Sequence, residues 1–156
     1  RKGLRSVFAP DAVCYEYTNR HAGDELKMRV RVISQTFTDL WLNRDMLNPF
    51  RSGFYAIELV SHKLLRYAVP LILVTLLIAN MLLAAASPFY VATLILQSGF
   101  YVLAFAGWLI ERSGRPSGLL AMPLYFTLAN FASAVGFYKF LRGEKYARWE
   151  PIRHTR

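Results

Sequence analysis

Few side chains of this 156-residue chain have a type and spacing that could do chemistry. By residue type alone, arginines at the start of a helix are solvated or lipid-facing charge, and Glu16 is a carboxylate at a strand end. Other reactive groups are sparse. Cys14 is the only cysteine, so an intramolecular disulfide and a thiolate metal cluster are both excluded. His21, His62 and His154 are too scattered for ligand spacing, and no metal site is expected within the chain.

The elements that must hold these residues are dominated by one run. From Tyr67 to Ile110 there are 44 residues without Asp, Glu, Lys, Arg or His. A bilayer core needs roughly 20 apolar residues per helical crossing. At about 1.5 Å per residue the run makes about two crossings, with Ser87-Pro88 placed to turn between them. A second uncharged run of 23 residues, Pro116 to Tyr138, supplies a third.

Lys and Arg number 19 against 10 Asp and Glu, a net charge of +9. These charges flank the apolar runs: Arg44, Arg51, His62, Lys63 and Arg66 before the first, and Lys139, Arg142, Lys145 and Arg148 after the last. That placement suits cytoplasmic loops and anionic lipid headgroups. It is not the basic patch with exposed aromatics of a nucleic-acid binder, so the expected partner is a lipid bilayer and not nucleic acid.

Residues 1–17, RKGLRSVFAPDAVCYEY, read as strand, turn, strand: Leu4, Val7 and Phe8, then Pro10-Asp11, then Ala12 to Tyr15. Asp24 can cap a helix carrying Leu26, Val30, Ile33, Phe37, Leu40 and Trp41 at helical spacing, with Lys27, Arg31, Gln35 and Asp39 opposite. Asn48-Pro49 should end it. Residues 49–66 form an amphipathic stretch suited to the headgroup plane. The spans are expected at about 67–86, 89–110 and 117–138, and 139–156 is a basic tail. Pro70 falls in the first turn of its span; Pro123 lies deeper, where a ring can kink a helix. Asn80, Gln97 and Asn130 should face other helices, where their amides find partners. Gly99, Gly107 and Gly136 permit close approach. With residues 1–48 cytoplasmic, the 84–90 turn and the 111–115 loop obey the positive-inside rule, but three crossings put the basic tail outside, against it. Either the tail is an exception to the rule or one segment is re-entrant; three helices are expected and the side of the tail is left open.

The order of local motifs resembles membrane-bound family 2 glycosyltransferases. GLRSVFAPDAVCYE is similar to the end of their catalytic domain, DELKMRVRV to the basic segment before a long helix, SHKLLRYAVP to the entry into the C-terminal membrane region, and FYKFLRGEKYARWEPIRHTR to the Phe-Leu-Arg-Gly and Trp-plus-basic ending. The subgroup most similar is the synthase type, which includes cellulose, chitin, hyaluronan and poly-N-acetylglucosamine synthases.

This resemblance implies a mainly α fold: three transmembrane helices, preceded by the interface helix and by a small α/β remnant (residues 1–48) of a nucleotide-sugar domain. It implies transfer of a sugar from a nucleotide-diphosphate donor to a glycan or lipid-linked acceptor at the bacterial inner membrane, with the N-terminal segment cytoplasmic. The family uses a divalent metal, Mg or Mn, held by an Asp-x-Asp motif, and a carboxylate base. Neither motif is in this chain. They are expected upstream of Arg1, so no catalytic residue is assigned here and the segment alone is expected to be inactive. What it retains resembles the family's Gln-x-x-Arg-Trp motif at Met28-Arg29-Val30-Arg31-Val32. Met28 and Val32 replace the Gln and Trp, which fits a relaxed synthase-like transferase. The resemblance implies that Arg31 attends the diphosphate, that Arg29 assists and that Glu16 helps shape the site. The alternative on spans and charge alone is a small non-enzymatic membrane protein, a scaffold or transporter subunit.

Overall fold

A computed structural model describes residues 7–14 and 22–144. Its architecture is helical. Helix α1 spans Ala22–Leu42. Helix α2 runs over Phe54–Leu83, α3 over Pro88–Arg112, and α4 over Ala121–Leu141, the last entered through a 3-10 turn at Gly118–Leu120. Counting that turn with α4, three helices are long and apolar enough to cross a membrane.

The expected strands do not form among the described residues. The Pro10-Asp11 turn is present, closed by the Ala12 amide donating to the Ala9 carbonyl at 3.1 Å. Val7, Phe8 and Val13 on either side belong to no element and are exposed. A two-stranded hairpin is marginal in water without a third strand or a helix to cover it. The α/β remnant is therefore not seen in this part of the chain. Leu4, Tyr15 and Glu16 lie outside the described residues.

Helix α1 starts at Ala22, two residues before the expected cap. Asp24 and Glu25 occupy its first turn, where carboxylates meet the positive end of the helix dipole. It also ends early, at Leu42 and not at Asn48. Asn43 closes it by donating its side-chain amide to the Asp39 carbonyl at 2.9 Å. Asn48 instead caps the short turn Pro49–Ser52, accepting from the Phe50 amide at 2.9 Å. Gly53 then breaks that turn with φ 56, a conformation that favours glycine.

From Phe54 the backbone stays helical through a π turn at Val60–Leu64 and on into the first apolar run. The stretch expected to lie apart as an interface helix is thus continuous, from Phe54 onward, with the helix it leads into. Pro70 consequently sits inside a helix and not in a first turn. Its missing N–H removes the bond that a residue there would make to the Arg66 carbonyl four positions back. Pro123 shows the reverse: it falls in the first turn of α4, where no backbone hydrogen bond is lost.

The turn between α2 and α3 falls at Ala84–Ser87. The Ser87 hydroxyl accepts from the Phe89 amide at 3.3 Å, and Pro88 opens α3 with a φ already suited to a helix. Polar side chains fasten this hairpin. Asn80 is buried; its Oδ1 accepts from the Thr93 hydroxyl at 3.1 Å and its amide donates to Gln97 Oε1 at 3.4 Å. The Gln97 amide donates to the Leu73 carbonyl at 3.0 Å and to the Tyr101 hydroxyl at 3.3 Å. Asn130 differs from expectation, turning back to the Phe126 carbonyl of its own helix at 2.9 Å.

The core sits between α1 and α4. Val30, Ile33 and Ala132 are buried there, with Leu26, Phe37, Tyr67 and Val135 packed around them. Gly136 sets the separation of the two helices. A Cβ there would come within 2.9 Å of Ile33 Cγ2 and 3.1 Å of the Val30 carbonyl oxygen. Gly107 does the same for α3, where a Cβ would meet the Leu120 carbonyl oxygen at 2.9 Å, whereas Gly99 faces open space. Contacts follow the same order along α1 and α4. Glu25 lies within electrostatic reach of Tyr125, Val30 and Ile33 meet Gly136, and Phe37 meets Phe137 and Phe140. The two helices therefore run in the same direction.

Replacing Gly136 with Ala is expected to destabilise the chain by about 1–3 kcal/mol, the usual cost of overpacking. Thermal unfolding in detergent reads this directly. Adding Ile33→Ala should recover part of the loss, because one of the clashing groups is then gone.

Candidate functional site

Of the residues that the resemblance assigns to the site, Arg29 and Arg31 lie in the described chain and Glu16 lies outside it. Both arginines are on α1, but the helix does not bring them together. Positions two apart are separated by about 160° around the axis, and such pairs do not face each other. Val30, Ile33 and Ser34, buried against α4, mark the inner face. Arg29 leaves on one flank, where its Nε lies 2.6 Å from Glu25 Oε1 in an i,i+4 ion pair. Arg31 leaves on the other side and is partly buried, while Val32 beside it is exposed.

Glu25 connects Arg29 to a polar group that residue types alone did not reveal. At the end of α3, Glu111 Oε1 accepts from the buried Ser117 hydroxyl at 2.9 Å, and Oε2 accepts from the Tyr125 hydroxyl at 3.4 Å. Tyr125 is in turn within electrostatic reach of Glu25. Glu111, Ser117 and Tyr125 form one hydrogen-bonded group at the α3–α4 connection, and the Arg29–Glu25 pair at the start of α1 lies within electrostatic reach of it. Next to Glu111, the Arg112 guanidinium lies over the Trp108 ring at 5.3 Å, a cation–π contact. The available signal was a carboxylate directly after 44 uncharged residues. Its partners lie six and fourteen positions on, across a Gly-Arg-Pro-Ser-Gly stretch, so no periodic pattern ties them to it.

These groups can bind and orient. Among the described residues no group of three His, Cys, Asp or Glu side chains is placed to hold a metal ion. An open depression of about 460 Å³ lies at the α2–α3 turn, lined by Ala84, Ala86, Ser87, Pro88 and Val91 among others. Its lining contains no ionisable side chain, so it offers no acid, base or charged ligand. Comparison with family models, with curated proteins and with solved structures gives no match for this chain.

Glu111→Ala should cost about 1–3 kcal/mol, because it leaves the buried Ser117 hydroxyl and the Tyr125 hydroxyl without their acceptor. Glu111→Gln, which keeps one acceptor oxygen, should cost less; thermal unfolding of the two variants separates the effects. For the hairpin, a double-mutant cycle on Asn80→Ala and Thr93→Ala should give a coupling of roughly 0.6–1.7 kcal/mol, the range for hydrogen bonds between membrane helices.

Proposed function

We propose that this chain is the C-terminal membrane part of a family 2 glycosyltransferase, which transfers a sugar from a nucleotide-diphosphate donor to a polysaccharide or glycolipid acceptor. What carries this reading is the order of four motifs along the chain. The segment resembling the end of the catalytic domain comes first, then the arginine segment on α1, then the basic entry at Ser61 to Arg66, then the Phe-Leu-Arg-Gly ending at Phe140 to Gly143. The expected setting is the bacterial inner membrane with the N-terminal segment cytoplasmic.

The role of this part follows from its packing. Helix α1 is held rigidly on α4 through Gly136, so it can present a neighbouring catalytic domain to the bilayer at a defined height. Arg31 is the side chain we assign to the donor diphosphate, on its match to the arginine of the family motif, where the guanidinium fork can grip two phosphate oxygens. Arg29 is engaged by Glu25 and serves to position α1. Glu16 remains assigned to the edge of the same site. The divalent metal of the parent enzyme has no ligand set among the described residues, and no step is assigned to it here.

In the full-length enzyme, Arg31→Ala should lower sugar incorporation from a radiolabelled nucleotide-sugar donor by roughly 10–100-fold, the equivalent of a charged hydrogen-bond pair worth about 1.5–3 kcal/mol. Arg31→Lys should recover only part of the activity, since it keeps the charge without the fork. Incorporation at the parent level in Arg31→Ala would remove Arg31 from this role.

A further inference from the structure

We infer that α4 does not cross the bilayer but stays at the membrane face at which α2 enters, so that the chain crosses the bilayer twice and the basic ends of α2 and α4 form one rim against the anionic lipid headgroups of a single leaflet. The proposal rests on how the two ends meet. The Phe37 ring on α1 lies 5.3 Å from Tyr67, at the basic end of the first apolar run, and 5.0 and 5.7 Å from Phe137 and Phe140 near the end of α4. Helix α2 travels about 24 Å from Tyr67 to Leu83. In an up-down-up bundle, Phe140 would emerge beside the Ser87 turn at the far end of that path. Here one phenyl ring touches both ends.

The rest of α4 agrees. It leaves α3 at Gly107, which abuts Leu120, and dips as far as Phe100, whose ring meets Phe126 edge-on at 5.4 Å. Beyond that its C-terminal half leans on α1 and Tyr67. The hairpin end of the molecule, from Leu83 to Phe89, is made by α2 and α3.

Helix α1 supplies the second argument. It runs beside α4 from the Tyr125 level to Phe140 and carries Asp24, Glu25, Lys27, Arg29, Arg31 and Asp39. If α4 crossed the bilayer, these charges would be carried to hydrocarbon depth, at roughly 2.5–3.5 kcal/mol for each on the insertion scale. If α4 lies along the face at which α2 enters, α1 stays at headgroup level. Lys63 and Arg66 on α2 then share a face with Arg142 at the end of α4, all three exposed, and with Lys139, which pairs with Glu144 at 3.1 Å. Trp41, Phe54 and Tyr138 are exposed, as interfacial aromatics are. Every cluster of positive charge in the described chain is then on one side, and the uncharged Ala84–Ser87 turn alone is on the other.

The test uses these 156 residues in sealed membrane vesicles with Cys14→Ser as background, so that one introduced cysteine is their only thiol. Cysteines at Ala85, Arg115 and Glu144 are treated with a membrane-impermeant maleimide from each face of sealed vesicles. Arg115→Cys and Glu144→Cys should label from the same face, with loss of labelling from the other, and Ala85→Cys should label from the opposite face. Labelling of Glu144→Cys from the Ala85 face would overturn the proposal. For the rim, nanodiscs with anionic lipid should raise the unfolding temperature over zwitterionic ones, and the Lys63→Gln/Arg66→Gln/Arg142→Gln variant should lose that rise. A rise retained in the variant, or absent in the parent, would overturn the headgroup contact. The glycosyltransferase reading does not enter this test, and either can fail alone.

Discussion

The close approach of α1 and α4 at Gly136 is the constraint on which the structure turns. One missing Cβ lets the Val30 carbonyl and the Ile33 side chain press against the α4 backbone. That contact joins a helix rich in charge to one that is apolar on every side. Without it α1 has no reason to stay, because half of its residues are polar and its apolar stripe of Leu26, Val30, Ile33 and Phe37 would face water. With it, the stripe is covered, and Phe37 is placed where it gathers Tyr67, Phe137 and Phe140 into one aromatic group. Offset and tilted rings of this kind add to the gain from burial.

A different logic holds the α2–α3 hairpin. Lipid competes for apolar contacts as well as another helix does, so apolar surface alone does not pair helices in a membrane. The hairpin relies on amides instead: Asn80 and Gln97 reach each other, and Gln97 reaches the Leu73 backbone. At the opposite end, Glu111 binds Ser117 and Tyr125 and so pins the connection into α4. The chain thus uses tight packing at the α1 seam, amide pairing within the hairpin, and one carboxylate where the two assemblies join. Any function that depends on α1 being held in a fixed position depends on all three.

Much of this was legible residue by residue. The uncharged runs gave the long apolar helices, Ser87-Pro88 marked the hairpin turn, and the glycines at 107 and 136 marked close contacts. These are local properties: apolar length, a serine cap before a proline, a missing side chain. The strands around Pro10-Asp11 were misread because a strand is not a local property, and alternating apolar residues need a neighbouring strand to become one. Pro70 and Pro123 exchanged roles because helix starts were placed at the edge of the charge-free runs, while the backbone starts its helix at Phe54 and at Ala121. Arg29 and Arg31 looked like a pair along the sequence. Helical rotation separates them, and Glu25 claims one.

The sequence by itself determined that three helices would be long and apolar and that charge would collect at their ends, since both follow from which residues stand next to which. Tertiary structure alone decided the course of α4. Its composition is apolar all round and carries no mark of a preferred face. What directs it is a set of contacts between residues a hundred positions apart: Ile33 with Gly136, and Phe37 with Phe137 and Phe140. A gap left by one glycine has an effect only when a particular side chain from elsewhere fills it, and that pairing cannot be read from either segment alone.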